Sequence, residues 1–229
     1  MKDSFSDTFR AIIFDLDGTL LDTLADIGNA MNRVLGRQGF PVHALSTYKQ
    51  LVGEGMALLV RRALPEPMSE DQVLVNRLSA SMREEYSMHS MDATRAYPGI
   101  RDLLTDFRQL NIAIAVLSNK PDDMVHTLVE HYFPNISLNA VSGASELFPR
   151  KPDPAGALAI AQRLGVPPEY CIFLGDSKTD METAVAAGMY PVGALWGFRE
   201  AGELLVYGAK ALIKRPEELL AMVKANDKK

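Results

Sequence analysis

One short apolar run, Ala11-Ile12-Ile13-Phe14, stands alone ahead of a long stretch, from about Thr23 to Met91, whose patterning is helical and shows no convincing strand. Apolar spacing at Leu24, Ile27, Met31, Val34 and Leu35 marks one amphipathic helix, closed by Gly36 and Gly39-Phe40-Pro41. Shorter helices are expected near Ser46 to Val52 and Gly55 to Leu64. Pro65 and Pro67 then break the chain, and Ser69-Glu70-Asp71 opens a long helix reaching Met88. After about Ala93 the style changes. Strand candidates at Ile112 to Leu117, Ala140-Val141, Cys171 to Leu174, Pro191 to Leu195 and Ala211 to Ile213 alternate with helices. Those helices lie near Ile100 to Leu110, Asp122 to Tyr132, Pro154 to Leu164, Thr179 to Ala187 and Glu217 to Lys224. Such alternation implies a parallel sheet covered on both faces. With one strand before the helical block and the rest after it, the block reads as an insertion. The expected division is an α/β core over 1–21 and 93–229 and an all-helical cap over 22–92, with Tyr97-Pro98-Gly99 as a hinge.

The first strand runs straight into Asp15-Leu16-Asp17-Gly18-Thr19. Residues two apart on a strand share a face, so Asp15 and Asp17 leave its end as a carboxylate pair. Gly18 lets the backbone turn where a side chain would interfere. Two acids held this close repel each other unless a cation or a shared proton relieves them. In open parallel sheets, ligands sit at the carboxyl ends of the strands. Other polar clusters fall at the same place. Ser118-Asn119-Lys120 follows one strand, Gly175-Asp176-Ser177 follows another, and Lys151-Pro152 occupies a loop before a helix.

Each of these has a plainer reading. Ser118 and Asn119 are suited to capping a helix that starts near Pro121, and Lys151 to a solvated loop. Asp176 and Asp180 suit a helix N-terminus favoured by its dipole. Lys120 reads as solvated, Met82, Met88 and Met91 as core packing, and His43, His89, His126 and His131 show no metal-ligand spacing.

Taken together and in order, Asp15-Leu16-Asp17-Gly18-Thr19, Ser118, Lys151 and Gly175-Asp176-Ser177-Lys178-Thr179-Asp180 resemble the four motifs of the haloacid dehalogenase superfamily. The resemblance covers nearly the whole chain, since a helical cap inserted after the first motif is a family feature. It implies an α/β fold with a Rossmann-like doubly wound parallel sheet. Asp17 is absent from the dehalogenases proper and replaced in phosphonoacetaldehyde hydrolases, and so points to phosphoryl transfer. Val52-Gly53-Glu54-Gly55, Arg62-Ala63-Leu64, Leu117-Ser118-Asn119-Lys120-Pro121 and Trp196-Gly197-Phe198 resemble the phosphoglycolate phosphatases.

The resemblance implies roles. Asp15 would be the nucleophile that forms an aspartyl-phosphate, and Asp17 the acid and then base. Mg²⁺ would be held by Asp15, the Asp17 carbonyl and Asp176. Ser118 and Asn119 would hold phosphoryl oxygens and Lys151 would neutralise charge, with Asp180 orienting Lys151 or a metal-bound water and Thr19 supporting from behind. Gly53, Glu54 and Gly55 would form a substrate loop on the cap. The alternatives are a sugar phosphomutase of the β-phosphoglucomutase type and a non-catalytic binding protein on the same fold.

Composition limits the partners. The hydrophobic fraction of 47% and charged fraction of 23% are those of a globular protein, and the net charge of −5 argues against nucleic acid. No segment reaches the length of a membrane span, and Met1-Lys2-Asp3-Ser4-Phe5 lacks a signal-peptide pattern. The single cysteine, Cys171, reads as a buried strand thiol. A cytoplasmic monomer or homodimer acting on a small phosphorylated metabolite is expected.

Overall fold

In a computed structural model of the chain, which describes residues 9–226, the run Ala11–Phe14 is strand β1 and has no exposed surface. Residues 1–5, read for a signal peptide, lie outside the described part. The chain continues through β2 (Leu21–Asp22) and four helices, α1 (Leu24–Arg37), α2 (Leu45–Leu51), α3 (Met56–Ala63) and α4 (Gln72–His89). It returns through β3 (Arg95–Ala96) to α5 (Ile100–Gln109), β4 (Ala113–Pro121), α6 (Asp122–Tyr132), β5 (Ala140–Ala144) and α7 (Ala155–Leu164). It ends with β6 (Cys171–Gly175), α8 (Lys178–Ala186), β7 (Tyr190–Ala194), α9 (Ala201–Val206), β8 (Ala211–Ile213) and α10 (Pro216–Asn226).

A six-stranded sheet in the order β5-β4-β1-β6-β7-β8 is parallel throughout. Side chains alternate across it, which is why β1 is apolar at every position. Ile12 and Phe14 pack in one cluster with Leu103 and Phe107 of α5, Leu128 of α6 and Leu219 of α10. Ala11 and Ile13 pack on the other face with Ala157 and Ile160 of α7, Ala184 of α8 and the buried thiol residue Cys171. The expected doubly wound core is present.

The register fixes the site. Phe14 is level with Val116 on one side and Leu174 on the other. The next residues along the three strands therefore emerge at one edge: Asp15, then Leu117-Ser118, then Gly175-Asp176. The chain goes from β1 to β4 on one side and from its other neighbour β6 to β7 on the opposite side, so this edge is the switch point where open α/β sheets take their ligands.

Helices α1–α4 share a separate cluster that includes Met31, Leu35, Tyr48, Val60, Leu78 and Tyr86. Two strand fragments, unforeseen in the sequence, clasp the segments leading into and out of this helical block: Leu21 pairs with Ala96 and Asp22 with Arg95. Asp26, in the first turn of α1, binds the returning chain at Ala93 N (2.8 Å), Thr94 N (2.8 Å) and Thr94 Oγ1 (2.7 Å). The long helix starts later than Ser69, because Asp71 is its cap and accepts from the amides of Val73 (2.9 Å) and Leu74 (3.0 Å). Met82 is buried and Met91 packs partly on the sheet core, but Met88 is 61% exposed and corrects the core reading. It lies near the end of α4, where the helix outruns its cluster. Helix α9 is a further element the spacing does not reveal.

Candidate active site

A tight turn after β1 carries the first acids. Gly18 N donates to Leu21 O at 2.8 Å, and the amides of Leu20 and Leu21 donate to Leu16 O at 3.0 and 2.9 Å. Gly18 has φ +85°, and a Cβ there would lie 2.2 Å from Asp176 Oδ2, so two separate constraints demand glycine. The turn is pinned from the other side by Trp196, whose Nε1 donates to Thr19 O at 2.9 Å.

Asp15, Asp176 and Asp180 bring carboxylate oxygens within 4.8 Å of one another, and all three residues are buried. One ammonium serves two of them. Lys151 Nζ lies 2.7 Å from Asp15 Oδ1 and 2.6 Å from Asp180 Oδ1, and its side chain is 3% exposed. The solvated-loop reading of Lys151 is therefore wrong. Asp180 also caps a helix, since its Oδ2 accepts from Ser177 N (3.0 Å) and Oγ (2.6 Å) in the capping box of α8. The two readings of Asp180, helix cap and lysine partner, are both true. Thr19, fully buried, donates to Asp176 Oδ1 at 3.5 Å, and the Phe198 amide donates to Asp176 Oδ2 at 2.6 Å.

Three carboxylates with one lysine between two of them leave excess negative charge in a dry place. Burial pushes the Asp15 carboxyl up to about 7; the Lys151 charge opposes this, and the charges of Asp180 and Asp17 add to it. Asp176 is likewise raised well above the ordinary carboxylate range, by burial first and then by Asp180 and Asp15. Lys151 is moved the other way: burial disfavours its charge, but Asp15 and Asp180 more than compensate and raise it. An all-oxygen donor set with surplus negative charge is what a hard divalent cation requires.

Asp17 is not in that cluster. Its carboxylate is drawn to Lys120, with Nζ at 2.8 and 2.9 Å from the two oxygens, and also accepts from Thr23 Oγ1 at 2.7 Å. Lys120 is not the solvated lysine expected from the sequence. Its side chain is 5% exposed, and its Nζ stands 4.6 Å from the centre of the Tyr86 ring on α4. Strand β4 runs on to Pro121 instead of ending at Leu117, which carries Lys120 inward. Ser118 and Asn119 are buried on the same strand end, and Pro121, not either of them, precedes α6. The Asn119 side chain holds the lysine loop: it accepts from Lys151 N at 2.8 Å and donates to Lys151 O at 2.9 Å. It also donates to Gly53 O at 3.1 Å, touching the helical block.

Above the acids opens a cavity bounded by both parts of the chain. Asp15, Asp17, Ser118, Asn119 and Asp176 line its floor, and Ile27, Val52, Leu59 and Met82 its apolar roof. Gly53 and Gly55 line it too. Glu54 does not lie in the lining; it pairs with Arg62 at 2.5 Å and with Lys178 at 3.5 Å. Sequence reasoning passes over Arg199, which also lines the cavity beside the Trp196-Gly197-Phe198 signature.

Residues 12–194 match the haloacid dehalogenase-like hydrolase family. The chain belongs to that family. Curated relatives include phosphoglycolate phosphatases of Pseudomonas putida KT2440, 34% identical over 89% of this chain and 78% of that protein, and of Chromobacterium violaceum, 31% identical over 94% and 96%. Among solved structures, a candidate phosphoglycolate phosphatase from Lactobacillus delbrueckii subsp. bulgaricus superposes with a TM-score of 0.89 at 31% identity, covering 95% of this chain and 99% of that one. A haloacid dehalogenase-like family hydrolase from Streptococcus pneumoniae shares the fold with a TM-score of 0.84 at 24% identity, covering 95% and 98%. With these relatives the family member is an enzyme, a phosphoric monoester hydrolase. Among the described residues no helix is long and apolar enough to cross a membrane.

Proposed function

We propose that this enzyme is a Mg²⁺-dependent phosphatase that hydrolyses 2-phosphoglycolate to glycolate and phosphate through an aspartyl-phosphate on Asp15. The observation that carries the reading is the Asp15–Lys151–Asp180 bridge beside Asp176 at the switch point of the sheet. A binding protein has no use for a buried carboxylate that lines the cavity with an ammonium held on one of its oxygens. Mg²⁺ suits the oxygen-only donors of Asp15 and Asp176 with the Asp17 carbonyl, and when bound it supplies charge neutralisation at the phosphoryl oxygens. The helical block of α1–α4 is read as a cap that closes the cavity, and the compartment as cytoplasm.

In this mechanism Asp15 attacks phosphorus. The new Asp15 oxygen–phosphorus bond forms as the bond to the glycolate oxygen breaks, and Asp17, protonated and released from Lys120 for this step, gives its proton to that oxygen. Asp17, now a carboxylate, takes a proton from water as the water oxygen attacks the same phosphorus. The Asp15–phosphorus bond breaks and inorganic phosphate leaves. Ser118 and the Asn119 amide hold phosphoryl oxygens, while Lys151 offsets the charge that builds between nucleophile and phosphate. Asp180 and the Asn119 side chain position Lys151 through the hydrogen bonds described above.

A turnover screen tests the reading: purified protein, with Mg²⁺, against a panel of phosphorylated metabolites. The highest kcat/KM is expected for 2-phosphoglycolate, with loss of activity on chelation. Isomerisation of a hexose phosphate in the presence of a bisphosphate would favour a phosphomutase instead, and no turnover of any ester would sink both.

A further inference from the structure

Among the described residues, the cations lining the cavity are Lys120 and Arg199. Lys120 is committed to both oxygens of Asp17. Arg199 is only partly engaged. Its Nη2 donates to Val52 O at 3.0 Å and Gln50 O at 3.4 Å, and its Nε pairs with Glu203 at 3.2 Å. Its Nη1 is buried without a hydrogen-bond partner, on a side chain only 12% exposed. Leaving a charged donor unsatisfied in this way is costly, and such an atom in a native fold calls for a ligand or another specific reason.

The loop that bears Arg199 is held rigidly. Trp196 is tied to Thr19, and Phe198 to Asp176. Between them Gly197 packs so closely that a Cβ would stand 2.3 Å from Asp176 Cβ and 2.4 Å from Gly18 O. Arg199 therefore starts one residue from an amide that grips the acid cluster, and its charge favours the ionised form of Asp176. A guanidinium that lines the same cavity as Asp15 and Asp176, with one nitrogen left unsatisfied, is suited to a second anionic group carried close to phosphorus. Guanidinium recognises carboxylate by charge-assisted hydrogen bonds. In 2-phosphoglycolate only one oxygen and one methylene separate phosphorus from the carboxyl carbon.

We infer that Arg199 is the specificity residue whose guanidinium receives the substrate's carboxylate, so that the enzyme selects phosphate monoesters of short hydroxy acids. This rests on the phosphatase reading above and adds the group that distinguishes the acid-bearing ester. Through Nη2 the same guanidinium holds carbonyls at the end of α2, just before the Gly53–Gly55 loop. Recognition of the acid is thereby joined to the position of the cap loop.

The test compares 2-phosphoglycolate with ethyl phosphate, an ester of like length in which methyl replaces carboxylate. Wild-type enzyme should prefer the acid-bearing ester. Arg199→Gln should reduce kcat/KM for 2-phosphoglycolate roughly 10- to 100-fold more than for ethyl phosphate, chiefly through KM, as expected for loss of a charge-assisted hydrogen bond. Arg199→Lys, which keeps the charge but not the fork, should fall between. Melting curves establish that each variant is folded, and if Arg199→Gln is not, the Arg199→Lys ratio decides. Unchanged preference in the folded variants overturns the assignment while leaving the phosphatase reading intact. Equal losses on both esters also overturn it, since they place Arg199 on the phosphoryl group or in the scaffold alone. A wild-type enzyme without preference for the acid-bearing ester would overturn the substrate reading itself.

Discussion

Replacing Asp26 by alanine should loosen the joint between the helical block and the sheet. Asp26 is 2% exposed and accepts hydrogen bonds from Ala93 N, Thr94 N and Thr94 Oγ1. Thr94 is 1% exposed, so its amide and hydroxyl have no water to turn to when the carboxylate is removed. Each buried donor left unmade costs about 1–3 kcal/mol, and the half-buried Ala93 amide less because it rehydrates. Asp26→Ala should therefore destabilise by about 3–5 kcal/mol, a fall in melting temperature of about 6–20 °C for a chain of this size. Asp26→Asn retains one acceptor oxygen and should lose about half as much. Urea unfolding and calorimetry on the three proteins read the effect directly. A loss under about 1 kcal/mol for Asp26→Ala, no more than an ordinary surface change, would refute the claim that this carboxylate clasps the two crossings.

Lys151→Met should abolish turnover and cost about 3–5 kcal/mol of stability, because it strands Asp15 and Asp180 as unpaired buried acids; a melt like that of wild type would show the bridge to be dispensable. Asp17→Asn should slow hydrolysis roughly 10²–10⁴-fold, the usual worth of acid–base catalysis, with substrate binding little changed in single-turnover measurements. Metal-free protein should lose stability as pH rises from 3.8 to about 7, because folded Asp15 holds its proton across that range while the unfolded chain has released it. That contribution is on the order of 4 kcal/mol, and added Mg²⁺ should raise the melting temperature more above this window than within it. A flat pH dependence without metal, or an equal Mg²⁺ effect at both ends, would count against an electrostatically strained acid cluster.

Much of the fold is legible in the sequence because local patterns carry it. The alternation of apolar runs and helix spacing locates β1, β4, β6 and the helices between them, and the polar residues that follow each strand announce the site. Strand order and register are not local. Nothing near Ala11–Phe14 says that Val116 and Leu174 will flank Phe14, although the switch-point rule places the acids correctly without that knowledge. Lys120 escapes a local reading for the same reason. A lysine is buried only when an opposing acid is supplied, and here Asp17 and the Tyr86 ring arrive from points far from Lys120 and from each other along the chain. Beyond a local i,i+4 pairing with Glu203, Arg199 gives no sign, because the Gln50 and Val52 carbonyls that hold its Nη2 are backbone atoms of a distant helix end. The two-residue strands Leu21–Asp22 and Arg95–Ala96 are too short for any periodicity to show.

The central claim is that Asp15 carries the phosphoryl group, and trapping the intermediate tests it most directly. Enzyme turning over phosphate-labelled 2-phosphoglycolate with Mg²⁺ is quenched in acid during the steady state, digested, and its peptides mapped. Label is predicted on the peptide containing Asp15, released by hydroxylamine as an acyl phosphate is, and absent from Asp15→Asn. Rapid turnover with no labelled protein, or label on any other side chain, would contradict it.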